Sequence, residues 1–74
     1  MKNLSLIQAR KSKGFTQEEL AGLMNRQKTT VSNWENGYSS PTLADAFKIA
    51  KLLETDVNVI FSGLEVQDSQ TNSA

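Results

Sequence analysis

The chain has 74 residues, eight basic and eight acidic, and contains neither cysteine nor histidine. This length allows one domain with a small core and leaves no room for an enzyme with a deep cleft. The composition excludes disulfides, thiolate metal sites and histidine catalysis, so it favours a binding protein without metal or cofactor.

Two helices are predicted in the first third of the chain. Apolar residues at helical spacing predict helix 1 over about 3–13, and Gly14 ends it. A capping box begins helix 2, because Thr16 can accept from the amide of Glu19 and Glu19 can reach back to the amide of Thr16. Asn25 tolerates the left-handed conformation that ends a helix.

Helix 3 is predicted from Gln27 or Lys28 to Glu35, and the turn Asn36-Gly37 ends it. Only two or three residues join helices 2 and 3. Such a short link makes two helices cross steeply, which is the geometry of a helix-turn-helix.

Two further helices and a tail complete the predicted organisation. Thr42 can cap helix 4, and Asp56 can cap a short helix 5. The sequence therefore predicts a compact all-α domain of five helices over residues 1–63. Residues 64–74 are polar without apolar periodicity and are predicted to be a disordered tail.

One apolar face of each helix is predicted to build the core. The tryptophan is assigned there because of its spacing from Val31, in preference to a base-stacking role. The predicted core residues are Leu6, Ala9, Phe15, Leu20, Met24, Val31, Trp34, Leu43, Phe47, Leu53 and Ile60.

The first residues do not resemble an export signal, and no stretch approaches the length of apolar sequence that spans a membrane. We therefore expect a cytoplasmic protein with no membrane association. The zero net charge conceals an asymmetry: residues 1–34 carry +4 and residues 35–74 carry −4. This distribution is typical of a molecule with one basic and one acidic face, although random scatter in a short chain would also produce it.

The outward side of helix 3 carries short polar residues and no acid over residues 27–33. Such a helix is slim enough for the major groove of DNA. Gln27 and Asn33 can pair with adenine edges, Lys28 can reach guanine acceptors, and the methyl group of Thr29 suits a thymine methyl. A solvated helix surface is the alternative interpretation of the same pattern.

Four motifs extend this interpretation. They are RKSKGFTQEELA at 10–21, VSNWENG at 31–37, PTL at 41–43 and KIAK at 48–51. Together they make residues 4–61 resemble the lambda-repressor-like, Xre-type helix-turn-helix family. The resemblance implies a sequence-specific regulator of transcription that binds double-stranded DNA, of the phage or bacterial repressor type and not an enzyme.

The resemblance also implies roles for individual residues. Gln17 resembles the family's phosphate-binding residue that also braces helix 3, and Arg10 and Glu35 occupy the positions of a semi-buried ion pair. The implied base-reading residues are Gln27, Lys28, Thr29 and Asn33. The residues implied to position the DNA backbone are Thr16, Gln17, Arg26, Ser32 and Asn36.

Three residues depart from the family pattern. Asn25 and Arg26 occupy the turn where glycine and an apolar residue are usual, and Gln27 replaces the usual serine or threonine cap. Arg26 cannot fill an apolar socket. Either the turn is repacked, or the arginine stem covers the core, or Arg26 contacts a phosphate.

A homodimer on a palindromic operator is expected, because one small module rarely gives useful specificity. The apolar candidates for its contact lie in helix 5 and just after it, at Val59, Phe61, Leu64 and Val66. Ordinary core packing and a frayed tail are the alternative explanation of these residues. The neutral net charge also keeps a second hypothesis open. In that hypothesis the domain is a protein-interaction module, such as an antitoxin or adaptor, or has a protein antagonist or co-regulator as partner.

Overall fold

The structure, a computed structural model, describes residues 2–61 and is all-helical over that range. Its helices are α1 (Leu4–Ser12), α2 (Gln17–Met24), α3 (Lys28–Asn36), α4 (Leu43–Leu52) and α5 (Val57–Ile60). The predicted five-helix, all-α fold is confirmed. Within the described range no helix is both long and apolar enough to cross a membrane. The predicted domain boundary at residue 63 and the predicted tail at 64–74 lie outside the described residues.

Side-chain caps fix where most of the helices begin. The predicted capping box of α2 is present: Glu19 N donates to Thr16 Oγ1 over 3.0 Å, and Thr16 N donates to Glu19 Oε1 over 2.9 Å. Thr42 caps α4 and Asp56 caps α5 in the predicted way. Helix α3 begins at Lys28, and the side chain of Gln27 makes no capping hydrogen bond, which agrees with the poor capping ability of glutamine.

The turn between α2 and α3 depends on a left-handed residue. Asn25 has φ 59° and ψ 41°, and Arg26 N donates to Ala21 O over 2.8 Å and Asn25 N to Gly22 O over 3.1 Å, so two of the last carbonyls of α2 are satisfied. The chain then enters α3 within three residues. Because α2 and α3 form the most extensive helix pair, this turn sets the orientation of α3.

The core lies between all five helices and includes most of the residues that the sequence predicts. Leu6, Leu20 and Val31 are fully buried, and Trp34 is buried as expected. Ala9 and Phe15 are partly buried at the margin of the core. Phe61 is also buried, with 7% exposure. The prediction that Phe61 contributes to a dimer contact is therefore wrong, because its ring packs into its own core.

The prediction for the buried face of α4 is wrong for two residues. Leu43 and Phe47 are 60% and 55% exposed, whereas Ile49 is fully buried. Leu53 is buried as predicted, and it forms the inward face together with Ala46, Ile49 and Ala50. Both sets have helical spacing on one ten-residue helix, and only the neighbouring helices select between them.

Asn3 links the start of α1 to the end of α5. Its side chain caps α1 by accepting from Leu6 N, and its Nδ2 donates to Ile60 O over 2.7 Å. Its backbone N donates to Glu35 O over 2.8 Å. A surface pair adds a second link, in which Lys13 donates to Glu54 and holds the pKa of that exposed carboxyl below its ordinary value.

The left-handed conformation of Asn25 leads to a stability prediction. Replacing Asn25 with alanine should lower the free energy of unfolding by about 1 kcal/mol, because a Cβ without a local polar partner is disfavoured there. Asn25→Gly is the matched control and should be at least as stable as the parent. Urea denaturation measures both, and equal stability of the two variants would contradict the role given to this turn.

Candidate nucleic-acid interface

Three of the predicted base-reading residues, Lys28, Thr29 and Asn33, lie on one side of α3, and Gln27 precedes the helix as its N-cap. Gln27, Lys28 and Thr29 are exposed at its start, and Asn33 is half-buried one turn after Thr29. The opposite side of α3 is anchored in the core by Val31 and Trp34. The helix is therefore held by its apolar side and presents short amides, hydroxyls and one lysine to solvent.

A shallow depression connects the start of α3 with the start of α2. It has a volume of about 560 Å³ and combines residues from the end of α1, the start of α2 and the start of α3. Its lining includes Thr16, Gln17, Lys11 and Lys28, with Glu18 as the acidic member. The fold thus brings two predicted backbone-positioning residues, Thr16 and Gln17, next to a predicted base-reading residue, Lys28.

A buried network under this surface joins the first three helices. Arg10 Nε donates to Glu35 Oε2 over 2.6 Å, and Arg10 Nη2 lies 3.4 Å from Glu35 Oε1. Gln17 Nε2 donates to Glu35 Oε1 over 2.9 Å, and Arg10 Nη1 donates to Phe15 O over 2.8 Å. The ion pair implied by the resemblance is present, and its carboxylate also holds the Gln17 amide.

This network has a consequence for the geometry of the interface. Glu35 is only 2% exposed, so its charge depends on Arg10 and Gln17 for compensation. Gln17 uses one amide hydrogen for Glu35 and keeps its second hydrogen and its oxygen for other partners. The side chain of Gln17, at the start of α2, is therefore oriented by α3, the helix that carries the base-reading candidates.

Ser32 and Asn36 pair with each other along α3. Asn36 Nδ2 donates to Ser32 Oγ over 3.3 Å, and both residues are half-buried. They lie one turn apart, on the same side of the helix as Lys28 and Asn33. Their remaining donors and acceptors are available to a neighbouring molecule, which is compatible with the predicted positioning role.

Arg26 takes a position that the sequence does not indicate. Its Nη2 donates to Asp45 Oδ2 over 2.9 Å, so the turn before α3 is tied to α4. The Arg26 side chain is 47% exposed and that of Asp45 is 14% exposed. Asp45 was not singled out from the sequence, because an acid in the first turn of a helix is ordinarily explained by the helix dipole.

Tyr38 is a second residue that the sequence interpretation missed. It follows the turn at the end of α3, its backbone N donates to Asn33 O over 2.9 Å, and it is 79% exposed. An aromatic residue directly after an Asn-Gly turn was the available signal. A phenol can donate one hydrogen bond to an acceptor at the edge of this surface.

Comparison with known proteins identifies the same fold. The family described as Helix-turn-helix matches residues 6–60. The chain is 33% identical over 64 residues to the HTH-type transcriptional activator BcrR of Enterococcus faecalis, covering 86% of this chain and 31% of that protein. It is 35% identical over 63 residues to the Competence pilus inhibition repressor of Acinetobacter baylyi, covering 85% and 57%.

A further relative has a different kind of name. The chain is 38% identical over 50 residues to the Antitoxin HipB of Escherichia coli, covering 68% of this chain and 57% of that protein. The chain thus spans about a third of the activator and somewhat more than half of the other two relatives. No solved structure matched.

The network around Glu35 leads to a second stability prediction. Glu35→Ala should lower the free energy of unfolding by about 3 kcal/mol or more, because the Arg10 guanidinium would stay buried without its partner. Glu18→Ala removes an exposed acid and should change stability by no more than about 0.5 kcal/mol. Thermal unfolding followed by circular dichroism compares the two variants. Equal melting temperatures would show that the network does not stabilise the fold.

Proposed function

Because this chain belongs to the lambda-repressor-like helix-turn-helix family, we propose that it regulates transcription by binding double-stranded DNA in a sequence-specific way. The names of two relatives, an activator and a repressor, support this class of function. Helix α3 enters the major groove in this proposal, and α2 lies across the sugar-phosphate backbone. Regulation of the repressor type in a phage or bacterium is the finer form of the proposal.

One observation carries the proposal: the exposed side of α3 is polar, slim and free of acidic side chains. The acid of this helix, Glu35, is buried in the ion pair with Arg10 and so does not face the groove. Gln27 and Asn33 read adenine edges, Lys28 reads guanine, and Thr29 contacts a thymine methyl group. The burial of Val31 and Trp34 on the opposite side supports this orientation.

Contacts with the DNA backbone position the helix in the groove. Gln17, already oriented by Glu35, donates its second amide hydrogen to a phosphate. The other members of this set are Thr16, Ser32 and Asn36, with Tyr38 added at the end of α3. Arg26 contacts a phosphate only if it leaves Asp45 or shares its guanidinium hydrogens with both acceptors.

A homodimer extends recognition to two successive major-groove faces, about 34 Å apart. The exposure of Val59, 58%, supports a contact through α5. Phe61 is withdrawn from this contact because it is buried, and Leu64 and Val66 lie outside the described residues. A contact based on so few residues is small, so the dimer dissociates at low protein concentration.

A second candidate function is binding to a protein partner, as an antitoxin or adaptor. The similarity to a protein named antitoxin is the specific observation in its favour. The two candidates differ in their response to salt. DNA binding releases condensed cations and weakens steeply as salt rises, whereas an apolar protein contact depends little on salt.

The experiment that tests the proposal selects bound sites from random duplex DNA. Binding of the best site is then repeated at two salt concentrations. We expect a palindromic motif and a steep salt dependence. If no motif is enriched, or if binding does not respond to salt, the DNA proposal is wrong and the protein partner becomes the leading function.

Two substitutions on α3 test the assignment of individual residues. Asn33→Ala and Lys28→Ala should each weaken binding to the selected site by about 1–3 kcal/mol, with a loss of preference at one base pair. Lys51→Ala removes an exposed lysine from α4, outside the interface, and is the matched control. Titrations by fluorescence anisotropy measure all three.

Circular dichroism keeps this prediction separate from misfolding. Lys28 is exposed and Asn33 makes no side-chain hydrogen bond within the described residues, so both variants should retain the parent melting temperature. If both bound the selected site as tightly as the parent, α3 would not be the reading helix.

A further inference from the structure

Two exposed helix faces carry opposite charges, and of their residues Glu18 alone also lines the depression at the proposed DNA interface. The acidic face consists of Glu18, Glu19, Gly22 and Leu23 on α2. The basic face consists of Leu43, Phe47, Lys48 and Lys51 on α4. All eight residues are exposed, and each face combines apolar surface with charge of a single sign. Glu19 also belongs to the capping box of α2, but the apolar residues of the two faces, Leu23, Leu43 and Phe47, are exposed and belong neither to the core nor to the DNA interface.

The acidic face contains a depression beside a glycine. Its volume is about 370 Å³, and it is lined by Phe15 and the four residues of the face. A Cβ added at Gly22 would meet nothing within 4 Å, so packing inside the chain does not require glycine there. A glycine in the interior of a helix costs stability relative to alanine. Close approach by another molecule is a physical reason for keeping this gap.

The basic face is a ridge with an aromatic side chain in the middle. Leu43, Phe47 and Lys51 follow one another at intervals of one turn, and Lys48 lies beside Phe47. Phe47 is 55% exposed, which is unusual for a ring on a short helix of a small domain. The acid of this helix, Asp45, is directed to Arg26, so no acidic residue of α4 offsets the charge of the ridge.

We propose that the acidic face of one copy of this chain binds the basic face of another copy, with Phe47 of one seated in the depression at Gly22 of the next. Three features match: the sign of the charges, the apolar character of both centres, and a projecting ring opposite a gap. Lys48 and Lys51 pair across the joint with Glu18 and with the Glu19 carboxylate oxygen that the capping box does not use. A ring of this size fits a depression of about 370 Å³.

The two faces are different surfaces, so the joint is heterologous and does not close on itself after two copies. An assembly of any number of copies therefore keeps one unused acidic face at one end and one unused basic face at the other. The joint is small and partly ionic, so it forms at high local concentration and weakens as salt screens the charges. This contact is distinct from the two-fold contact through α5 and places neighbouring copies side by side.

The first test measures the mass of the full chain in solution without DNA. Sedimentation equilibrium is run from about 10 μM to about 1 mM protein, at low and high salt. We expect the weight-average mass at low salt to rise past twice the 8.2 kDa of one chain, and to fall at high salt. A mass that levels off at one or two copies at every concentration would overturn the proposal.

Variants at the two centres identify the surfaces. Gly22→Gln fills the depression and Phe47→Ser removes the ring, and each should abolish species larger than two copies. Leu4→Ser is the matched control, because Leu4 is equally exposed on α1 and lies on neither face. Gly22→Gln should not lower the melting temperature, since a Cβ at this position meets nothing within 4 Å and glutamine has a higher helix propensity than glycine. If it folds and still forms the larger species, the depression is not the contact.

Charge reversal distinguishes this joint from any two-fold contact. Glu18→Lys spoils the acidic face and leaves the basic face intact, whereas Lys48→Glu does the opposite. Each variant alone should associate more weakly than the parent, and a mixture of the two should be heavier than either, because one intact face of each kind is then present. A mixture no heavier than the separate solutions would rule the joint out. Because no DNA is used, failure here leaves the proposed DNA binding untouched.

Discussion

The carboxylate of Glu35 is the point on which the first half of the structure depends. It is buried near the end of α3 and accepts hydrogen bonds from the guanidinium of Arg10 on α1 and from the side-chain amide of Gln17 on α2. A buried charge must be compensated, and here the compensation comes from two other helices. The same interaction that satisfies Glu35 therefore fixes how α1, α2 and α3 are oriented, and it also orients a side chain that faces the proposed DNA backbone.

The turn between α2 and α3 depends on a second constraint. A residue that can adopt the left-handed conformation is needed there, and Asn25 supplies it. Arg26 then follows where an apolar residue would bury itself, and it forms an ion pair with Asp45 on α4. An exposed ion pair contributes less than apolar burial. It nevertheless links the turn to α4, so the start of α3 is held from two sides.

A core built from five short helices leaves much apolar surface outside, and its distribution is informative. On α3 the outward side is polar and suits a groove in DNA. On α2 and α4 the outward sides combine apolar residues with charges of opposite sign. The zero net charge of the chain is thus the sum of surface regions with opposite charges. A regulator that binds DNA with one surface can meet its neighbours with others without competition between them.

The helices, most of their caps and the family follow from the sequence, because those features depend on local spacing and short-range hydrogen bonds. The capping box at Thr16, the left-handed Asn25 and the start of α4 at Thr42 all depend on residues within four positions of one another. The four motifs also predicted the ion pair between Arg10 and Glu35, and the structure contains it. The assignment of the base-reading residues on α3 stays a prediction.

Three features depend on tertiary packing instead: which apolar side chains of α4 are buried, which residue Arg26 contacts, and whether Phe61 is free for a partner. Helical spacing allows either stripe of α4, and the packing of its neighbours selects the one with Ile49 and exposes Leu43 and Phe47. The partner of Arg26 lies nineteen residues away on another helix. Contacts of that kind depend on the arrangement of whole helices, which no local pattern in the sequence records.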